Sequence, residues 1–119
     1  KGFLFYAEFN IRLFIFLLFT KKNILFSNDL DTLLPNYLLS LLQRKTLVFD
    51  SHELFSEIPE LVHKPRVKNF WLCLEKNIIP KLKNVITVSN SIKNHYLNLY
   101  KISATVVRNI PKIQKIKRK

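Results

Sequence analysis

Glycine is almost absent from this chain: Gly2 is the only one in 119 residues, where average usage would place about eight. Glycine supplies the left-handed backbone of tight turns and the close approach of phosphate loops, so a glycine-rich phosphate cradle is excluded. Cysteine is as scarce. Cys73 alone cannot form an intrachain disulfide, and its place among apolar residues at helical spacing reads as a buried or half-buried thiol in a reducing, cytoplasmic setting. Acidic residues are few: 8 Asp and Glu stand against 20 Lys and Arg, a net charge of +12. That balance asks for an acidic partner or an anionic surface. Long uninterrupted apolar runs are missing too. Residues 3 to 19, FLFYAEFNIRLFIFLLF, are broken by Glu8, Asn10 and Arg12, and the clean stretch from Leu13 to Phe19 is too short to cross roughly 30 Å of hydrocarbon.

What is present is ordered. Glu8 and Arg12 are four apart and share a helix face, so residues 3 to 19 read as a helix packed on a core or lying at a membrane interface. Ile24 to Ser27 read as a short buried strand, Asn28 to Asp31 as its polar exit, and Leu33, Leu34, Tyr37, Leu38, Leu41 and Leu42 as a helix capped by Asp31 or Thr32. KTLVFD (45–50) is a second strand, and Phe70, Trp71, Leu74, Ile78 and Leu82 mark a helix that Pro80 kinks or ends. NVITVS (84–89) is a third strand, Ser89 or Asn90 caps a last helix bearing Ile92, Tyr96 and Leu99, and ATVVRNIP (104–111) gives a fourth strand. The strands are continuously apolar, which predicts a parallel sheet covered by helices on both faces: a partial doubly wound, Rossmann-like α/β unit.

Ligands of such sheets gather at the carboxyl ends of the strands. Here those ends read Asn28-Asp29, Asp50-Ser51-His52-Glu53, Ser89-Asn90 and Arg108-Asn109, all polar. With so little glycine, side chains rather than a backbone nest would line the cleft, which suits a polyhydroxylated ligand. The segment beginning His52-Glu53 starts like a zinc-protease helix, but position 56 is Ser and Pro59 would break the helix, so no metal site is read there. Taken alone, His52 reads equally as a loop histidine satisfying carbonyls or as a ligand group, and Asp29, Asp50 and Glu53 as caps or loop acceptors.

The series NDLDTLLP, VFDSHELFSEIPEL, WLCLEKNIIPKLKNVITVSNSI and VVRNIP, in this order and spacing, resembles the amino-terminal domain of GT-B glycosyltransferases of the group 1, family-four type, which includes many enzymes of bacterial polysaccharide biosynthesis. The resemblance covers roughly residues 2 to 111; residues 112 to 119 are a basic tail or the start of an interdomain linker. It implies half of a GT-B N-terminal domain, in a hexosyltransferase-like enzyme that moves a sugar with retention from a nucleotide sugar to a glycan or lipid-linked acceptor, with no cofactor. It places His52 as the residue of the reaction centre, near the hydroxyls of the transferred sugar, with Asp50 holding the loop and Glu53 beside it. Asn28, Asp29, Ser89, Arg108 and Asn109 would line the substrate cleft.

The family's donor-side pair of glutamates eight apart does not occur in this sequence, and Lys1 stands inside what reads as helix. The expectation is therefore a stretch of a larger enzyme, inactive by itself. A basic module that binds RNA or a membrane surface is the alternative. Nucleic acid is disfavoured because Phe3, Phe9, Phe14, Phe16, Phe19 and Trp71 fall in core-like helical patterns, not interleaved with lysines on a strand platform. The tail PKIQKIKRK reads as solvated, or as a contact for lipid headgroups or RNA, and an anionic membrane is a possible peripheral partner.

Overall fold

The computed structural model of the chain describes residues 3–54 and 63–109. The tail 112–119 and the segment 55–61 of the His52 loop lie outside them, as does the proposed linker boundary at Pro111. Helix α1 (Phe3–Phe19) leads into strand β1 (Ile24–Asn28), α2 (Leu33–Leu42), β2 (Thr46–Ser51), α3 (Pro65–Ile78), β3 (Asn84–Thr87), α4 (Asn90–Tyr100) and β4 (Thr105–Val106). The four strands form one sheet, all parallel as the alternation of strand and helix predicts, and their order is β1-β2-β3-β4.

A strand order that never reverses, joined by right-handed crossovers, puts all connecting helices on one side of the sheet. The burial of each strand follows this. Leu25 and Ser27, Leu47, Phe49 and Ser51, and Val85 and Thr87 are buried beneath the helices, whereas Ile24 and Phe26 on the opposite face are 60% and 51% exposed. Helix α1 joins the same layer by packing on α2, on the turn that follows β1 and, through Tyr6, on Trp71 of α3 at a ring-centroid distance of 5.3 Å. Cover expected on both faces is thus present on one among the described residues. The apolar residues that suggested the second layer line the other face, Ile24 and Phe26 exposed and Val48 and Ile86 half-buried.

Several local expectations change for identifiable reasons. Neither Asp31 nor Thr32 caps α2: residues Leu30–Thr32 form a 3-10 turn, and the Thr32 hydroxyl is taken up by the Asn28 carbonyl (2.7 Å) and by Ser27 Oγ (2.9 Å). Cys73 is exposed, because α3 buries Trp71, Glu75 and Ile78, and a residue two positions from Trp71 lies about 200° around the helix from it. The fourth strand is limited to Thr105–Val106, with one further bond from the Val107 N–H to the Thr87 carbonyl (2.8 Å). Ser89 caps α4 by accepting from the Ile92 N–H, and α3 ends at Ile78, just before Pro80.

The core is Leu25, Leu33, Leu39, Leu47, Phe49, Trp71, Ile78, Ile79, Val85, Ile92 and Tyr96 with their neighbours, between the sheet and the helices. It leaves much of α1 bare: Ile11, Ile15, Phe16 and Phe19 are exposed, the last at 82%. Among the described residues no helix is long and apolar enough to cross a membrane.

Candidate functional site

Register places the exits of all four strands at one end of the sheet. Asn28 pairs with Asp50, Ser51 with Thr87, and Thr87 with Val106, so each chain leaves its strand within one residue of its neighbour's level. The first two exits are bonded together. The Asp29 N–H donates to the Asp50 carbonyl (2.9 Å), the His52 N–H donates to Asp29 Oδ1 (2.9 Å), and His52 Nε2 lies 3.0 Å from Asp50 Oδ2. With Nε2–H donating to this carboxylate, a neutral His52 turns Nδ1 outward as an acceptor, and that nitrogen has no partner among the described residues. Asp50 is mostly shielded while His52 is about half exposed, so the ring stands at the surface and its anchor below it.

Asp29 holds this arrangement at a backbone cost. Its φ of 58° and ψ of 175° fall in a region occupied almost only by glycine, at about 1–3 kcal/mol for other residues. A glycine would relieve the strain and would remove the carboxylate that holds His52. Asp31, two residues on, has its carboxyl raised above the ordinary 3.8 by burial and then by the charge of Asp29, while its own backbone N–H and that of Thr32 pull it back down. Asn28 is exposed at the end of β1, and Glu53 is exposed with its carbonyl accepting from Ser51 Oγ (3.1 Å).

The third and fourth exits are aligned with this cluster but not bonded to it among the described residues. Adjacent strands lie about 4.8 Å apart, which sets the β4 exit about 10 Å from the β2 exit. Ser89 Oγ caps α4 by accepting from the Ile92 N–H, which leaves its own O–H, beside the backbone N–H groups of that helix's first turn, as a donor there. Arg108 and Asn109 are exposed beyond β4.

Sequence reasoning missed the hydroxyl layer beneath the exits. Ser51 Oγ and Tyr96 OH are 2.8 Å apart and buried, tying the β2 exit to α4; burial pushes the Tyr96 phenol well above its ordinary value, so it stays a neutral donor. Tyr100 OH donates to Oε1 of the buried Glu75 (2.8 Å), linking α4 to α3. Thr87 Oγ1, beside Ser51 on the same face, is buried with no hydrogen-bond partner among the described residues. The period-two step Leu47, Phe49, Ser51 carried the signal that Ser51 points inward. No group of three or more His, Cys, Asp or Glu side chains among the described residues is placed to hold a metal ion.

No protein-family model matches the chain, and no curated protein matches it significantly.

Proposed function

We propose that the chain is the acceptor-side part of a retaining GT-B glycosyltransferase, which transfers a sugar from a nucleotide-sugar donor to a glycan or lipid-linked acceptor. The observation that carries this reading is the hydrogen-bonded set Asp29, Asp50 and His52 at the joined exits of β1 and β2. A histidine held by a carboxylate through one ring nitrogen offers the other, in fixed orientation, to a hydroxyl of the bound sugar. Such a contact accelerates transfer only where it strengthens as charge develops at the anomeric carbon. His52 is not cast as the general base; in a same-face retaining transfer the leaving phosphate helps to deprotonate the acceptor. Glu53, exposed beside the ring, and Arg108 and Asn109 at the β4 exit are the further substrate contacts of this reading, with Asn28 at the mouth.

The test is an assay of the enzyme containing this unit, with a panel of nucleotide sugars and with glycan and lipid-linked acceptors. Transfer with retained anomeric configuration is expected, and Glu53→Gln is expected to lower turnover per folded molecule. Absence of sugar transfer with every donor, or inversion of configuration, would overturn the proposal.

A membrane-surface role is favoured by a separate observation, the bare apolar side of α1 at Ile11, Ile15, Phe16 and Phe19 followed by Lys21 and Lys22. Apolar residues next to cations suit peripheral contact with an anionic membrane, each cation near the surface contributing about 1 kcal/mol. Equal sedimentation with neutral and anionic vesicles would count against it.

A further inference from the structure

The end of the sheet opposite His52 carries an open groove of about 430 Å³, where β2 and β3 begin and where α2 and the turn after α3 end. Arg44, Lys45, Lys81 and Lys83 line it, together with the hydroxyl-bearing Tyr37 and Thr46, and no carboxylate does. None of the four cations has an ion pair or hydrogen-bonded side-chain partner among the described residues. Helix C-termini attract cations, and two of them converge here, but together they supply only about one elementary negative charge against four positive ones. About three charges remain uncompensated. Arg44 is also held in place: it occupies the left-handed position that ends α2, at φ 51°, with the Lys45 N–H bonded to the Ser40 carbonyl (3.0 Å) in the turn that usually takes glycine. Backbone N–H groups thus take the Ser40 carbonyl and, from Gln43, the Leu39 carbonyl (2.9 Å), so neither draws on the guanidinium.

We propose that this groove binds the phosphate group of a small ligand, with Arg44 as the forked donor to its oxygens and Lys45, Lys81 and Lys83 as the surrounding charges. It lies at the other end of the strands from the exit loops, so it is a second site, independent of the sugar-transfer reading. The phosphate could belong to a soluble compound or to a lipid headgroup, and the test separates these sources. Isothermal titration of the chain with inorganic pyrophosphate, in chloride at about 0.1 M ionic strength, is compared with Arg44→Gly and with Lys83→Gln. Sedimentation with phosphatidic-acid vesicles forms the second arm.

Glycine suits the backbone at position 44, so Arg44→Gly removes the charge without threatening the fold. We expect each variant to weaken binding by about tenfold or more at an undiminished melting temperature. Pyrophosphate binding that falls in this way supports a soluble phosphate, and vesicle binding that depends on the same residues without pyrophosphate binding supports a headgroup. Binding of neither by the parent chain, or equal binding by parent and variants in both arms, would overturn the proposal.

Discussion

At one end of the sheet Asp29, Asp31, Asp50 and Glu53 stand with His52 at two adjoining strand exits; at the other, Lys21, Lys22, Arg44, Lys45, Lys81 and Lys83 line two neighbouring depressions without a carboxylate. Half of the chain's 8 acidic residues are at the first end, although the molecule carries a net charge of +12. Part of this polarity follows from topology. In a parallel strand-helix unit every helix begins where a strand ends and ends where the next strand begins, so acids at the exits meet positive helix termini and cations at the entries meet negative ones. The difference between the ends is in what happens to the surplus. Asp29 and Asp50 are tied to the His52 N–H and ring and Asp31 to backbone N–H groups, whereas the groove cations are not neutralised by any carboxylate in its lining. A site built of mutually bonded groups is poised to position a neutral, hydroxyl-rich ligand, and a surplus of one sign is poised to hold an anion.

Both ends hang on the same covered face, and removing its centre gives the largest effect. Phe49 is 1% exposed, in the middle of β2 between the two ends. Phe49→Ala should cost about 3–5 kcal/mol, a large part of a small domain's stability, and should lower both ends in one thermal transition. Two separated transitions by circular dichroism would show that the ends are independent units.

The next test uses two of the three positive-φ residues among those described, Arg44 and Asp29, one at each end of the sheet. Arg44→Gly should stabilise the chain by about 1 kcal/mol, because it relieves a left-handed backbone and loses no satisfied contact. Asp29→Gly relieves a comparable or larger strain but forfeits the bond to the His52 N–H, so its net change should be closer to zero. Denaturant midpoints of the two variants give the comparison directly. Equal stabilisation would mean that the Asp29 carboxylate contributes nothing to holding the loop.

The smallest expected effect concerns Asp31. Its native carboxyl binds a proton more tightly than the unfolded chain does, so ionisation opposes folding, and stability rises as pH falls from the raised native value through the ordinary 3.8. Asp31→Asn should therefore melt slightly higher than the parent near neutral pH, with the advantage vanishing in acid below the ordinary carboxylate range. A variant whose advantage is independent of pH would place the effect in packing instead of charge.

The parallel α/β arrangement was legible in the sequence because NILFS, KTLVFD and NVIT each follow or precede a helix of clear three-four spacing. The one-sided cover was not, since Ile24, Phe26, Val48 and Ile86 are as apolar as the residues beneath the helices, and only the strand order decides which face the helices take. The polar exits were legible residue by residue, and Asp50 and His52 do meet. The role of Asp29 was hidden because a backbone dihedral leaves no mark in composition, whereas the capping role of Ser89 was legible from its place just before the helical pattern. Glu75 was missed because an acid on an apolar stripe reads as an interruption until Tyr100 is seen to donate to it.

His52 carries the sugar site most directly. In the enzyme containing this unit, turnover of His52→Ala should fall about a hundredfold, the loss of a positioned contact of on the order of 3 kcal/mol in the transition state. Its melting temperature should hold, because the half-exposed ring at the surface carries little packing. Full turnover by a folded His52→Ala enzyme, or unfolding of the variant, would make the Asp-Ser-His-Glu loop a polar turn and remove the sugar site.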